Sequence, residues 1–123
     1  MQEALSRKKI LLVDRSKVLR KAGVAQLEKL GSVVEAVSSS SEALLKILRW
    51  YPDLIISGVE VGDINGYDLC MLLRLMPDFA GVPVIIISSG NADAVKFRAA
   101  DAGADYYVKK DEQLLAMIRA LCS

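Results

Sequence analysis

Polar side chains follow the apolar runs of this 123-residue chain, and several are of types that could do chemistry. Asp14 and Glu60 supply carboxylates, whose hard oxygens could bind a divalent cation. Arg15 and Lys110 supply cations, and a guanidinium can donate two hydrogen bonds to one carboxylate. Ser88 supplies a hydroxyl. These groups could form a site for charged groups, provided that the fold brings them together.

Composition excludes several kinds of site. The chain has no histidine, which excludes serine–histidine and cysteine–histidine dyads, imidazole zinc sites and phosphohistidine. Its two cysteines, Cys70 and Cys122, have no CxxC spacing, and we expect both to pack as small apolar groups in a reducing cytoplasm. The 16 basic residues nearly balance the 15 acidic ones, so we expect neither nucleic acid nor a membrane as a partner. No glycine-rich nucleotide-binding motif follows a predicted strand.

Five short apolar runs alternate with segments of helical periodicity, and these elements must position the polar side chains. Three of the runs are continuously apolar, as in strands that are covered on both faces. Strands joined by helices favour an α/β fold, in which a doubly wound parallel sheet carries helices on both faces. The predicted strands are 10–13, 33–37, 54–56, 84–87 and 106–108.

The predicted helices have start and stop signals. Gly31 and Gly103 stand where a helix can end in a left-handed residue. A last helix is predicted from Asp111, with apolar residues at 114, 117, 118 and 121. Ser39 and Glu42 form a capping box for an earlier helix. The apolar residues expected on one face of that earlier helix are Leu44, Ile47, Leu48 and Tyr51.

The length of the chain is that of one domain, which we expect to span 9–123 after an N-terminal extension at 1–8. No apolar run approaches the ~18 residues that a membrane span needs. The first residues are not typical of a signal peptide, so we expect a cytoplasmic location. In a parallel α/β sheet the functional crevice lies beyond the carboxyl ends of the strands. The candidate side chains follow those ends in the sequence, so we expect the fold to gather them there.

Five segments, in their order and spacing, resemble the receiver domain of bacterial response regulators, the CheY-like family. The resemblance implies a flavodoxin-like (βα)₅ fold with parallel strands in the order 2-1-3-4-5. It also implies a function in two-component, or phosphorelay, signal transduction. The segments are KILLVDRS at 9–16, PDLIIS at 52–57, NGYDL at 65–69, PVIIIS at 83–88 and AGADYYVKK at 102–110.

The resemblance also implies how an active member of that family works. An aspartate at the tip of the third strand takes a phosphoryl group, and Mg²⁺ held by acidic residues neutralises the phosphoryl oxygens. A lysine and a serine or threonine hydroxyl then bind these oxygens. Here Asp14, Ser88 and Lys110 match the supporting positions, and Tyr107 matches an aromatic residue used for switching or partner binding. The position of the acceptor is occupied by Gly58.

Two departures from the family pattern affect the chemistry. Gly58 offers neither a nucleophile nor a metal ligand, and Arg15 stands where the family has its second acidic residue. Because a guanidinium repels a divalent cation, we expect Mg²⁺ binding to be lost or weak, and we expect no cofactor. Asp14 and Glu60 then face Arg15 and Lys110, two negative charges against two positive ones. We expect one of the two cations to occupy the space of the missing ion and to bind a carboxylate.

The sequence therefore favours a degenerate receiver, or pseudo-receiver, that is not an enzyme. It would act in signalling by protein–protein interaction, without aspartyl phosphorylation at the usual site. The resemblance places the partner surface on the fourth helix, fifth strand and fifth helix, at roughly 92–102, 105–108 and 112–121.

Two other interpretations stay open at this point. The chain could be an ordinary phospho-accepting receiver in which glycine has replaced the natural aspartate at Gly58. Arg15 argues against that, because blocking phosphorylation would not require a second change. The chain could also be a flavodoxin-like enzyme or small-ligand-binding protein, since one fold hosts many functions.

Overall fold

A parallel sheet of five strands forms the centre of the part of the chain that the computed structural model describes, residues 7–88 and 92–109. The strands are β1 (Lys9–Val13), β2 (Val33–Val37), β3 (Leu54–Gly58), β4 (Val84–Ser88) and β5 (Tyr106–Lys109). The helices within those residues are α1 (Lys17–Lys29), α2 (Ser40–Trp50), α3 (Gly66–Leu75) and α4 (Ala92–Asp101). The strand order is β2-β1-β3-β4-β5, which confirms the predicted fold class.

Several predicted features lie outside the described residues. They are Lys110, the helix predicted from Asp111, Cys122 and residues 1–6 of the predicted extension. Within residues 7–88 and 92–109, no helix combines the length and the apolar character that a membrane crossing requires.

The sheet separates two apolar clusters, because successive side chains of a strand point to opposite faces. Leu11 and Val13 of β1 pack with residues of α2, α3 and α4. Ile10 and Leu12 pack on the other face, with Leu27 of α1. All four β1 residues are buried, as expected of a continuously apolar strand.

The predicted helix signals are confirmed at three positions. The Ser39 hydroxyl caps α2 by accepting a hydrogen bond from the backbone N–H of Glu42 at 3.2 Å. Gly31 and Gly103 have φ angles of 93° and 91°, in the left-handed region that favours glycine. The helices therefore begin at Ser40 and end after Lys29 and Asp101 as their local sequence indicates.

The predicted buried face of α2 is wrong in part. The helix turns Ser40, Ala43 and Ile47 into the protein, whereas Leu48 is 52% exposed and Tyr51 is 51% exposed. Tyr51 lies beyond the last helical residue with a left-handed φ of 54°, so it does not continue the helical periodicity. The buried stripe runs through Ser40, Ala43 and Ile47 and leaves Leu48 on the outer side of α2.

Arg74 in the last turn of α3 joins that helix to two distant turns. Its Nε donates to the Gly103 carbonyl at 2.8 Å, and its Nη1 donates to the Val82 carbonyl at 2.7 Å. Its Nη2 forms an ion pair with Asp105 at 2.8 Å, and the same carboxylate oxygen accepts from the backbone N–H of Val84 at 2.8 Å. One guanidinium thus fixes α3 against the entries to β4 and β5.

Candidate functional site

A cavity of about 370 Å³ lies at the carboxyl ends of the strands, where the topology places the crevice. It brings together five residues that the sequence predicts as site residues: Asp14, Arg15, Gly58, Glu60 and Ser88. Its lining also includes Ser16, Val59 and Ile87. The sixth predicted pocket residue, Lys110, lies outside the described residues.

Asp14 is held at the tip of β1 by local hydrogen bonds and is only 3% exposed. Its Oδ1 accepts a hydrogen bond from the backbone N–H of Ser16 at 2.8 Å, which ties the carboxylate to the turn that starts α1. Arg20, which the sequence analysis missed, donates from Nη1 to the backbone carbonyls of Asp14 at 2.7 Å and Arg15 at 2.9 Å. The β1–α1 turn is therefore fixed by side chains that bind its backbone.

Gly58 ends β3 directly opposite Asp14. A Cβ atom placed on Gly58 would lie 3.4 Å from Oδ2 of Asp14 and 3.6 Å from Cγ1 of Val61, which are ordinary van der Waals distances. Ser57 is buried and donates its hydroxyl to the Gly58 carbonyl at 2.8 Å, and it is not among the residues that line the cavity. The wall of the cavity at position 58 is consequently bare backbone with room for a side chain.

Gly66, at the first turn of α3, packs on the tip of β3. Its N–H donates to the Val59 carbonyl at 2.8 Å, and a Cβ atom in its place would overlap the Gly58 carbonyl oxygen. In the sequence, this residue stands out only as part of the NGYDL segment at 65–69. Its contact with Gly58 could not be found from helix periodicity, because it depends on how closely α3 approaches β3.

Arg15 and Glu60 are both exposed at the rim of the cavity. The ion pairs formed within the described part of the chain are Lys46–Glu35 and Arg74–Asp105, and none joins Arg15 to Asp14 or Glu60. The bond expected from Arg15 is therefore not formed, because its guanidinium stays in solvent while the Ser16 N–H binds Asp14. The alternative bond from Lys110 involves a residue outside the described ranges.

The comparisons with known proteins agree with this geometry. The sequence model of the response regulator receiver domain matches residues 10–121. The chain belongs to that family. Its relatives include the gliding motility regulatory protein of Myxococcus xanthus, 38% identical over 109 residues that cover 89% of this chain and 14% of that protein. Protein PilG of Pseudomonas aeruginosa is 30% identical over 115 residues, 91% of this chain and 85% of that protein.

The fold of this receiver domain is also similar to solved structures. The chemotaxis response regulator CheY4 of Vibrio cholerae superposes with a TM-score of 0.88, at 24% identity, covering 94% of this chain and 99% of that one. This receiver domain spans 14% of the Myxococcus protein and about half the length of six further curated relatives. Receiver domains are signalling modules that bind protein partners, and this chain is one of them.

The residues that line the cavity do not fit the Mg²⁺ ion of an active receiver. Within the described ranges the carboxylates that line the cavity are buried Asp14 and exposed Glu60, Gly58 offers no ligand, and the exposed side chain of Arg15 lies at the rim. Within those ranges no three carboxylate or cysteine side chains lie close enough to hold a metal. A hard divalent cation needs several oxygen ligands, so the donor set that the described residues offer here is too small.

Tyr107 lies away from the cavity, on the side of the sheet that α2, α3 and α4 cover. Its ring is half-buried, and its hydroxyl is buried without a hydrogen-bond partner among residues 7–88 and 92–109. Nearby, the Tyr67 ring is buried, and the guanidinium carbon of Arg98 lies 4.4 Å from its centre. Burial raises the pKa of Tyr67, and Arg98 partly opposes that rise. These residues link the first turn of α3 to α4 and β5.

Cys70 confirms the structural role that its sequence context predicts. It is fully buried in the cluster beneath α3. Burial is the main cause that raises the pKa of its thiol, which leaves little of the reactive thiolate at neutral pH. Cys70 is therefore a packing residue.

Proposed function

We propose that this receiver domain is a pseudo-receiver, which works in two-component signalling by binding protein partners and carries no phosphoryl group at the tip of β3. The observation that carries the proposal is Gly58. The residue faces Asp14 across the cavity, and its α-carbon bears only hydrogen where an active receiver has a carboxylate. Without that carboxylate no oxygen at position 58 can attack phosphorus.

The neighbouring residues support the proposal. Ser57 is not a substitute acceptor, because its hydroxyl is buried and donates to the Gly58 carbonyl. Arg15 at the rim opposes a divalent cation, so the domain would work without Mg²⁺ or another cofactor and without enzymatic activity. Two-component signalling of this kind places the protein in the cytoplasm.

The partner surface that the family resemblance implies consists of α4, β5 and residues 112–121, of which the last lie outside the described residues. Two exposed aromatic side chains support a contact at this surface. Phe97 of α4 is 75% exposed, and Tyr106 of β5 is exposed as well. Large aromatic side chains are enriched in protein interfaces because they bury much area at little cost in conformational entropy.

Phosphoryl transfer from acetyl phosphate tests the proposal directly. The native chain, incubated with acetyl phosphate and Mg²⁺, is expected to show no stoichiometric mass increase by intact-protein mass spectrometry. The double variant Gly58→Asp with Arg15→Asp restores the acceptor and a second acidic residue, and we expect it to gain one acid-labile phosphoryl group.

The control is Gly58→Asn with Arg15→Asp, which has the same shape but no nucleophile at position 58. A stoichiometric acid-labile mass increase in the native chain would overturn the proposal. An acid-stable increase that Ser57→Ala abolished would instead identify that serine as the acceptor, because a serine phosphate ester resists acid.

A further inference from the structure

Helices α2 and α3 carry apolar residues on their solvent sides as well as on their buried sides. A helix that covers a sheet usually has a polar outer face. Six large apolar side chains of these two helices and their ends are between 40% and 80% exposed. They are Leu45, Leu48, Tyr51, Met71, Leu72 and Leu75.

Contacts to neighbouring strands and turns fix which flank of each helix faces the other. Lys46 of α2 forms an ion pair with Glu35 of β2 at 2.8 Å, so that flank faces the outer edge of the sheet. Leu48, two residues further along a 3.6-residue helix, lies on the opposite flank. Arg74 of α3 binds Gly103 and Asp105 on the side of β5, so Leu72, two residues earlier, points the other way. Leu48 and Leu72 therefore line facing flanks.

The two flanks and the exposed side chains beside them form an apolar surface, named here the α2–α3 groove and defined by Leu48, Tyr51, Leu72 and Leu75. The ring of Tyr51 packs against Phe79 with their centroids 5.0 Å apart, which joins the end of α2 to the turn after α3. At about 200 Å² for a fully exposed large side chain, the groove and the adjacent Leu45 and Met71 present on the order of 600 Å². That area is at the upper limit of the apolar patches of monomers and is typical of a binding site.

Charges at the groove indicate what it binds. Exposed carboxylates stand at both ends, with Asp68 of α3 at the end near the cavity and Asp78, which accepts a hydrogen bond from the Tyr51 hydroxyl at 3.2 Å, at the other. The cations of α2, Lys46 and Arg49, are three residues apart on the flank that faces the sheet edge. A second copy of the chain would bring like carboxylates together, whereas a cationic partner would be attracted to them.

We propose that the α2–α3 groove binds a basic amphipathic helix of a partner protein. Such a helix would insert apolar side chains at positions i, i+3 or i+4 and i+7 between Leu48 and Leu72. Its lysine or arginine residues would face Asp68 and Asp78. The α2–α3 groove is a second binding surface, separate from the one on α4 and β5. It rests on the proposed function only because both have the domain act by binding a protein.

A synthetic peptide tests the groove in the full chain. The probe is an 18-residue helix with leucine at i, i+3, i+4 and i+7 and lysine elsewhere, labelled for fluorescence anisotropy. Leu75→Ser and Leu48→Ser are each expected to weaken its binding at least tenfold, and Asp68→Asn about threefold. Val18→Ser is the matched control, because Val18 is 76% exposed and Leu75 is 80% exposed, yet Val18 lies on α1, across the sheet from the groove. It is expected to leave binding unchanged.

A second peptide has glutamate in place of every lysine, which separates the contribution of charge to binding from that of apolar contact. This peptide is expected not to bind. Equal binding of the two peptides would overturn the proposal, and so would binding that Leu75→Ser leaves unchanged while thermal melting shows the variant folded. A dimer of the native chain that Leu75→Ser dissociates would assign the groove to a second copy instead. These readouts are independent of phosphoryl transfer, so failure here and failure of the proposed function are distinguishable.

Discussion

The tip of β3 and the first turn of α3 meet at two glycines that are present for opposite reasons. At Gly58 a Cβ atom would find ordinary contacts, the nearest at 3.4 Å from Oδ2 of Asp14. At Gly66 a Cβ atom would overlap the Gly58 carbonyl oxygen. The fold therefore requires a glycine in the helix but not in the strand. The residue that removes the phosphorylation chemistry is the one that packing leaves unconstrained.

This difference explains how the cavity keeps its shape without its acceptor. Its walls depend on hydrogen bonds that backbone N–H groups donate, from Ser16 to the Asp14 carboxylate and from Gly66 to the Val59 carbonyl. None of these bonds involves a side chain at position 58. The phosphoryl acceptor can thus be absent at this edge of the sheet without loss of the fold. Substitutions at Gly58 and Gly66 test this independence by their effect on stability.

The largest effect is expected from Gly66→Ala. The added methyl group has to displace the backbone at Gly58, and overpacking of this kind costs about 2–3 kcal/mol of unfolding free energy. Urea unfolding at equilibrium, compared at matched m-values, measures the loss. Gly81→Ala is the control, because a Cβ atom at Gly81 would meet nothing within 4 Å among the described residues. A Gly66→Ala variant as stable as the native chain would show that packing does not require glycine at position 66.

Local sequence signals predicted the elements well because they depend on nearby residues. The Ser39 cap and the left-handed glycines Gly31 and Gly103 lie where the sequence indicated. The gathering of Asp14 and Ser88 followed from strand topology alone.

Contacts between distant segments could not be predicted in this way. Arg74 binds two turns that lie up to 31 residues away, and nothing in its own helix indicates those partners. Periodicity predicted that Leu48 is buried, whereas α2 turns Ala43 and Ile47 inward and leaves Leu48 exposed. Either Arg15 or Lys110 was expected to bind a carboxylate; Arg15 forms no ion pair within the described residues, and Lys110 lies outside them.

An intermediate effect is expected from Gly58→Asp, which tests charge where there is room for a side chain. The new carboxylate would lie close to that of Asp14, which is only 3% exposed, and repulsion between the two charges costs about 1–2 kcal/mol. Gly58→Asn has the same shape without the charge, so the difference between the two variants in urea unfolding at pH 7 isolates the repulsion. Equal losses of stability in the two variants would attribute the cost to shape.

The smallest effect is expected from Gly58→Ala, which adds a side chain without charge or a hydrogen-bonding group. Glycine within a strand costs conformational entropy, and the Cβ atom here has room, so alanine should stabilise the domain by about 0.5 kcal/mol. The urea midpoint should rise slightly with an unchanged m-value. Loss of more than about 1 kcal/mol would mean that Gly58 is constrained by packing, as Gly66 is. Packing would then require glycine at position 58, and the fold of this receiver domain would itself exclude a phosphoryl acceptor at the tip of β3.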